Sequence, residues 1–333
     1  MRSMNKIIVI LGQTSTGKSD FAVEIAKMIN GEIISADSRQ VYKDMDLGTG
    51  KITKKEMRGI PHYLLDIVSP KKTFSVSDFQ KEALKKIKEI EKKGKVPIIC
   101  GGTGFYIDSI TNGIIFPEVP QNKKLREQLS KKSAKQLFEI LKKLDKTRAQ
   151  NIDKNNSVRL IRAIEIAKAL GKVPILKSNK NSMDTNSAMA EFVSMPKFEI
   201  LKIGLTLPPE ILKERIKTRL LTRIKKGMIK EVENLHKNGV PWKRMNELGL
   251  EYRHVSNYLK NIATQPSPRL RRAKKDEMIE RLNTEIWHFA KRQKTWFKRD
   301  PNTIWIDPRK KSEKNLAIKE IKKFLPVHRQ GGK

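Results

Sequence analysis

The segment "GQTSTGKS", residues 12–19, constrains the fold of this 333-residue chain more than any other. It matches the pattern G-x-x-x-x-G-K-[ST] and stands between the apolar run "KIIVIL" and the helix-like run "DFAVEIAKMIN". A strand, a glycine-containing turn and a helix in this order place backbone N–H groups and a helix N-terminus around a bound phosphate. The sequence therefore predicts a diphosphate or triphosphate site, although the loop alone does not decide which reaction uses it.

All eight residues of this loop are assigned to the phosphate site. They are Gly12, Gln13, Thr14, Ser15, Thr16, Gly17, Lys18 and Ser19. We expect the backbone N–H groups from Thr14 to Lys18 to point inward. Lys18 would add a positive charge, and the Ser19 hydroxyl would bind Mg²⁺.

Further apolar runs alternate with helical segments along the chain. "EIISA", "VPIIC" and "FEILKIGLTL" read as strands, and "VSDFQKEALKKIKEIEKKGK" reads as a helix capped by Ser75 or Ser77. The first helix would bury Phe21, Ile25 and Met28 and end at Gly31. This alternation predicts an α/β fold, a P-loop NTPase-like parallel sheet flanked by helices.

The strand signal disappears between Ile115 and Pro174, where "KKLREQLSKKSAKQLFEILKKLDK" and "SVRLIRAIEIAKALGK" are helical in period and basic. We expect an all-helical insertion domain over residues 115–195, within a catalytic core formed by residues 1–114 and 196–308. Residues 309–333 would form a basic C-terminal helix and tail. The polar run "LKSNKNSMDTNSAMAEFVSMP" reads as a mobile linker.

The charge balance favours a polyanionic partner. The chain has 71 Lys and Arg against 36 Asp and Glu, a net charge of +35. Such a charge favours nucleic-acid binding, and the alternative is a set of solvated surface lysines. No apolar run is long enough to span a membrane. The single cysteine, Cys100, excludes an internal disulfide framework, and we expect a cytoplasmic protein without a zinc module.

Two polar stretches follow predicted strands and can carry chemistry. In "SADSRQVYKDMDLGTGK", Asp37 could contact Mg²⁺, act as a base, or form a cap or Asx turn. In "GGTGFYI", Thr103 offers a hydroxyl to a ligand, and the alternative is a tight turn between strand and helix. Because carboxyl ends of parallel strands meet at one edge of a sheet, we expect Gly12, Asp37 and Thr103 to converge.

Seven segments taken together resemble the tRNA dimethylallyltransferases, also called tRNA isopentenyltransferases, over about residues 6 to 300. They occur in this order: "GQTSTGKS", "ISADSRQVYKDMDLGTGK", "PHYLLDI", "FSVSDFQ", "CGGTGFYI", "SVRLIRAIEI" and "AKRQKTWFKRD". The loop differs from the usual "GPTASGKT" of that family at Gln13 and Ser19, and both changes preserve the donors. The specificity of the resemblance comes from the combination, because the phosphate loop alone is generic.

The resemblance implies a reaction and a role for three residues. Dimethylallyl diphosphate would give its five-carbon group to N6 of the adenosine 3′ of the anticodon, in tRNAs that read codons beginning with U. The loop would hold a departing diphosphate, with Mg²⁺ as cofactor. Arg219 would contact the diphosphate, Asp37 would accept the N6 proton, and Thr103 would contact the substrate near the leaving group or the reacting base.

The resemblance also implies contacts to the anticodon stem-loop of a tRNA. The implied tRNA-binding residues are Asp37, Ser38, Arg39, Gln40, Thr103, Arg126, Arg159 and Arg162. For the last three, a solvated basic face is the alternative. The aromatic residues of "IWHFAKRQKTWFKRD" could stack on bases or belong to the core, and we favour the core for Trp296. We expect a monomer, and leave the contacts of residues 246–258 and 283–289 unassigned.

Three other functions remain open from the residues. The first is a small-molecule P-loop kinase in which Asp37 activates a hydroxyl. The second is prenylation of free adenine nucleotides. The third is a basic RNA-binding protein whose loop has lost its chemistry.

Overall fold

A computed structural model describes residues 6–174, 196–263 and 267–325 of the chain. It divides into two compact units, Met1–Thr111 with Pro196–Lys333, and Asn112–Met195. The predicted mobile linker lies, apart from its last residue, outside the described residues. No helix in the described part of the chain is long and apolar enough to cross a membrane.

The first unit is built on a six-stranded sheet in the order β3-β2-β4-β1-β5-β6, in which every neighbouring pair is parallel. Its strands are β1 (Lys6–Gly12), β2 (Gly31–Ser35), β3 (His62–Tyr63), β4 (Val96–Gly101), β5 (Glu199–Leu205) and β6 (Ile304–Ile306). The predicted α/β fold with a parallel sheet is confirmed. The strands β3 and β6 were not predicted, because two and three residues are too few to show a hydrophobic period.

Helices cover both faces of the sheet and bury β1 completely. Alternate residues of a strand point to opposite faces, so Ile7 and Val9 pack on one side and Ile8 and Ile10 on the other. The covering helices are α1 (Lys18–Met28), α3 (Val76–Lys92), α4 (Gly104–Thr111) and α14 (Lys311–Phe324). Burial on both faces explains why the strand reads as a continuous apolar run.

The ends of the first helices correct one prediction and decide another. Helix α1 ends at Met28, which is 40% exposed, so neither Gly31 as the stop nor Met28 as a buried residue is right. Asn30 adopts the left-handed conformation instead (φ 50°), and Gly31 begins β2. Helix α3 is capped by Ser75, which accepts a hydrogen bond from the N–H of Asp78 in a capping box.

A layer of further helices in the first unit packs around its own apolar cluster. These are α9 (Pro209–Lys225), α10 (Met228–Lys237), α11 (Trp242–Leu248), α12 (Leu250–Ala263) and α13 (Pro268–Phe297). The short helix α2 (Lys54–Met57) has no buried residue and lies outside that cluster. The segment that begins at Pro208 forms two helices, separated at Gly227 with φ 104°. The 30-residue α13 carries Leu282 and Ile286 into this cluster and runs on to the phosphate loop.

In the described residues 112–174 of the second unit, all regular secondary structure is helical, as the predicted fold class has it, and residues 112–122 are irregular. It contains α5 (Lys123–Ser130), α6 (Ala134–Leu144), α7 (Lys146–Gln150) and α8 (Ser157–Leu170). Leu137, Leu141 and Leu160 are fully buried in its own core. The described part of the C-terminal segment is not separate from the first unit, because Ala317 and Ile321 of α14 are fully buried against the sheet.

Candidate active site

The phosphate loop connects β1 to α1 and takes the backbone shape that an anion cradle needs. Three of its residues have positive φ: Gly12 (144°), Ser15 (62°) and Gly17 (90°). A Cβ on Gly12 would stand 2.4 Å from the carbonyl oxygen of Leu205, so only glycine fits there. No side chain of the described residues caps α1 at Gly17, so the N-terminal N–H groups of α1 remain directed at the loop.

Lys18 is held against the loop in a desolvated position. Its Nζ donates a hydrogen bond of 2.6 Å to the carbonyl oxygen of Gln13, which also accepts one from the Thr16 hydroxyl. Burial lowers the pKa of Lys18 to about 8, and the nearby charge of Arg219 acts in the same direction. A bound anion would restore the charged form of this amine.

Asp37 and Thr103 follow β2 and β4, in two loops that are joined to each other by hydrogen bonds. Asp37 Oδ1 accepts the N–H of Arg39 at 2.9 Å, which is the geometry of an Asx turn. Thr103 Oγ1 accepts the N–H of Ser38 at 3.0 Å, and the Thr103 N–H donates to the Ala36 carbonyl. The two loops are therefore fixed to each other beside the phosphate loop.

Arg219 enters the site from α9 and is held by the loop that follows Asp46. Its Nη2 donates a hydrogen bond of 2.8 Å to the carbonyl oxygen of Gly50. That loop is fixed in turn by Glu231, whose carboxylate accepts the N–H groups of residues 46–48 and the hydroxyl of Tyr252. Burial lowers the pKa of Arg219. A guanidinium fixed and desolvated in this way is suited to pair with a phosphate.

Two adjoining cavities meet at these residues. The inner cavity, of about 90 Å³, is lined by Lys18 and Ser19 together with apolar side chains such as Ile33 and Ile52. The outer cavity, of about 450 Å³, is lined by Thr103 and by several other residues. These include Ser38, Arg39, Phe105, Ile286 and Trp296. Both cavities are lined by Thr14, Asp37, Thr49, Gly102, Arg219, Phe289 and Gln293.

The structure brings many, but not all, of the predicted site residues of this unit to the cavities. Asp37 and Arg219 line both, Gln40 lines the inner one, and Ser38, Arg39 and Thr103 line the outer one. Of the eight loop residues, Thr14, Lys18 and Ser19 line a cavity. The N–H of Thr14 donates a hydrogen bond to Gln293 Oε1, so it does not point into the phosphate site as we expected from the sequence.

The aromatic residues of α13 divide between the core and the outer cavity. Phe297 is buried in the core, whereas Phe289 is 37% exposed and lines both cavities. Trp296 packs partly against the core, as favoured from the sequence, and also lines the outer cavity. Its Nε1–H donates to Asp108 Oδ2 at 2.8 Å.

In the second unit, two of the three predicted arginines pair with a buried carboxylate. Arg126 donates through Nε and Nη2 to Glu165, and Arg162 donates to Glu165 and to the carbonyl oxygen of Val119. Burial alone would raise the pKa of Glu165, but these hydrogen bonds outweigh it and hold the pKa at about 2. Arg159 lies exposed in the first turn of α8.

Sequence reasoning missed Gln293 and Glu231, whose partners are backbone groups distant along the chain. Gln293 Oε1 accepts the N–H of Thr14 at 2.8 Å, and its Nε2 donates to the carbonyl oxygen of Gly102 at 2.9 Å. The segment "AKRQKTWFKRD" contains Gln293 and was considered only for its aromatic and cationic residues. Only the structure shows that Gln293 is buried on α13 together with Ala290 and Phe297.

Few side chains of the site could coordinate a metal ion. Among the described residues, no group of three or more His, Cys, Asp or Glu side chains could hold one. Mg²⁺, however, needs few protein ligands when phosphate oxygens and waters complete its shell. The Ser19 hydroxyl and the Asp37 carboxylate line the same cavity as Lys18, so the site fits an ion that arrives with a diphosphate.

Comparisons with known proteins extend over both units. A family model described as IPP transferase matches residues 40–300. A tRNA dimethylallyltransferase 2 from Treponema denticola is 42% identical over 292 residues, which are 88% of this chain and 91% of that relative.

Two solved structures are similar along nearly all of the chain. The full-length tRNA isopentenylpyrophosphate transferase from Bacillus halodurans has a TM-score of 0.66 at 31% identity, covering 96% of this chain and 98% of that one. A eukaryotic dimethylallyltransferase described as acting on tRNA has a TM-score of 0.73 at 26% identity, over 95% of this chain and 77% of that one. The likeness therefore includes the helical unit as well as the phosphate loop.

Proposed function

The chain belongs to the IPP transferase family, and from that premise we propose that it is a tRNA dimethylallyltransferase working through the two cavities. The donor is dimethylallyl diphosphate, and the acceptor is N6 of the adenosine 3′ of the anticodon in tRNAs that read codons beginning with U. The observation that carries this proposal is that Lys18, Asp37 and Arg219 line one cavity beside the phosphate loop.

The phosphate loop stabilises the departing diphosphate. As the bond between the allylic carbon and oxygen breaks, its electron pair stays on the diphosphate, whose negative charge rises. Loop N–H groups, the Lys18 ammonium and the Arg219 guanidinium face that charge, and fixed donors in a desolvated site stabilise it better than water does. No phosphoryl group is transferred in this reaction.

Asp37 serves as the base for the adenine amine. The N6 lone pair forms the new bond to the allylic carbon, and the proton leaves N6 for the Asp37 carboxylate. The Asx-turn bond occupies Oδ1 with the N–H of Arg39 and fixes the direction of the carboxylate. The Thr103 hydroxyl, fixed to the same turn through Ser38, contacts the substrate near the reacting base.

The two cavities suit the two substrates by size and lining. The five-carbon group lies against the apolar residues of the inner cavity, among them Ile33 and Ile52. The adenine enters the outer cavity, which the aromatic side chains of Phe289 and Trp296 line. An anticodon-loop base can be extruded at a cost of only a few kcal/mol.

We propose Mg²⁺ as the cofactor, held by the Ser19 hydroxyl and by the diphosphate. When bound, it would offset negative charge on the leaving group.

The high positive charge supports recognition of the anticodon stem-loop. The net charge of +35 favours a polyanion, and Ser38, Arg39 and Gln40 stand beside Asp37 at the cavities. In the helical unit Arg126, Arg159 and Arg162 would contact the RNA. We propose that the enzyme acts as a monomer in the cytoplasm.

A product assay tests this function. The protein is incubated with dimethylallyl diphosphate, Mg²⁺ and unmodified tRNA, and the tRNA nucleosides are analysed by mass spectrometry. We expect N6-dimethylallyladenosine from wild type and almost none from Asp37→Asn, which keeps an acceptor for the Arg39 N–H but loses the base. The matched control is Asp153→Asn in the other unit, because Asp153 Oδ1 accepts the N–H of Asn155 in the same kind of turn.

The assay also separates the rival functions. Activity on free AMP without activity on tRNA would identify a nucleotide prenyltransferase. ATP turnover on a small hydroxyl substrate without a prenyl product would identify a kinase, which the family membership does not support. Binding of tRNA with no product, unchanged by Lys18→Ala, would leave only an RNA-binding protein.

A further inference from the structure

Gln293 occupies a position between the two loops that the proposed reaction uses. It is 6% exposed and belongs to α13, yet both polar atoms of its amide bond backbone groups outside that helix. Its Oε1 accepts the N–H of Thr14 in the phosphate loop, and its Nε2 donates to the carbonyl oxygen of Gly102. Only one orientation of an amide satisfies a donor on one side and an acceptor on the other.

Two neighbouring features support this connection between α13 and the two loops. Gln13 Nε2 donates a hydrogen bond of 3.0 Å to the carbonyl oxygen of Ala290, so α13 is joined to the phosphate loop a second time. A Cβ on Gly102 would stand 2.4 Å from Gln293 Nε2, so the absence of a side chain at Gly102 permits the bond.

One of the two loops faces the proposed leaving group, and the other is bonded to the turn of the proposed base. Thr14 belongs to the loop of Lys18, which faces the leaving group, and Gly102 precedes Thr103, which is bonded to the turn of Asp37. Transfer requires the carbon that leaves the diphosphate and the nitrogen that loses its proton to be aligned. Misplacement by about 1 Å can lower a rate about 100-fold without loss of binding.

We infer that Gln293 is a positioning residue for the transfer step, which holds the phosphate loop and the Gly102–Thr103 turn at the separation that the reaction needs. This inference rests on the proposed function. It assigns no contact with the reacting atoms to Gln293, because the side chain acts through Thr14 and Gly102.

The first test compares Gln293→Met with Gln80→Met. Gln80 is an equally buried glutamine (8% exposed) whose Nε2 donates to the Ser109 carbonyl, and it lines neither cavity. Both variants lose a buried amide and should lose similar stability in thermal unfolding. We expect kcat to fall about 100-fold for Gln293→Met, with KM for the donor and Kd for tRNA within about threefold of wild type. Gln80→Met should keep its kcat.

A second variant tests the hydrogen-bond pattern itself. A glutamate side chain in place of Gln293 can accept from Thr14 at any pH, but it can donate to the Gly102 carbonyl only when protonated. The kcat of Gln293→Glu, divided by that of Gln293→Met, should therefore rise as the pH is lowered. Lys18, Asp37 and Arg219 line the same cavity as Gln293, and taking the ratio removes the pH effects that the two variants share.

Three outcomes would overturn the inference while leaving the proposed function intact. They are a kcat of Gln293→Met within threefold of an active wild type, equal losses in Gln293→Met and Gln80→Met, and a ratio that does not change with pH. If Gln293→Met does not fold, the kcat of Gln293→Glu divided by that of wild type, measured against pH, decides in the same way. An inactive wild type would instead refute the proposed function.

Discussion

The protonation of Lys18 should control how tightly the protein binds its diphosphate donor. Burial lowers the pKa of this amine to about 8 in the free protein, so ordinary buffers titrate it. A bound diphosphate interacts favourably only with the charged form. Binding therefore takes up a proton whenever Lys18 is neutral, and the affinity must fall as the pH rises through the pKa.

The size of this effect follows from the pKa. The protonated fraction of Lys18 falls from about 0.9 at pH 7 to about 0.1 at pH 9, so Kd should rise about tenfold, or about 1.4 kcal/mol. The diphosphate itself is fully ionised over this range, because phosphate groups have their second pKa near about 6.

The assay is calorimetric titration with a non-reactive thio-analogue of dimethylallyl diphosphate between pH 7 and pH 9.5, which avoids any effect on kcat. Lys18→Arg is the control, since a guanidinium stays charged throughout. Its Kd should be weaker overall and independent of pH. A flat profile for wild type, or an equal slope in Lys18→Arg, would refute the reasoning about the amine.

Three other predictions concern the base, the RNA and the helical unit. Asp37→Asn should lower kcat by at least about 100-fold while donor Kd changes less than about threefold; similar losses in calorimetry and turnover would show that Asp37 holds the donor instead. Tripling the salt should weaken tRNA binding by orders of magnitude in filter binding but barely affect the donor, and a flat response would exclude a basic clamp. Glu165→Gln should destabilise the helical unit by about 3 kcal/mol at pH 7, because it leaves Arg126 and Arg162 without a charged partner. Hydrogen exchange over α8 should show that loss of stability. Because the pKa of Glu165 is lowered to about 2, the difference in stability between wild type and Glu165→Gln should shrink as the pH falls from about 4.5 towards 2. An undiminished difference at pH 2 would contradict this role of Glu165.

Much of the fold was predictable because its signals are local. Strand β1, buried from Ile7 to Gly12, gives an unbroken apolar run, and Ser75 forms a capping box with Asp78 only three positions away. The short strand β6 is held by pairing with β5, about 100 residues away in sequence, which no local period can show. The stop of α1 was misplaced by one residue because Asn30 can also adopt the left-handed conformation.

Site residues that belong to a sequence motif could be predicted. Residues that act by hydrogen bonds to distant parts of the chain could not. Asp37 and Arg219 could be named from segments, since strand ends and the resemblance point to them. Gln293 could not, because its partners are an N–H and a carbonyl group 279 and 191 positions away. The pairing of Arg126 with Glu165 was hidden for the same reason, since it depends on how α5 packs on α8.

The central claim is that the phosphate loop holds a departing diphosphate with the allylic carbon turned towards Asp37. The most direct measurement is a crystal structure of the protein with the thio-analogue of dimethylallyl diphosphate bound. The account predicts both phosphorus atoms against residues 12–19 and the reactive carbon at the junction of the two cavities. Phosphorus atoms bound away from that loop, with the loop free of ligand, would contradict it.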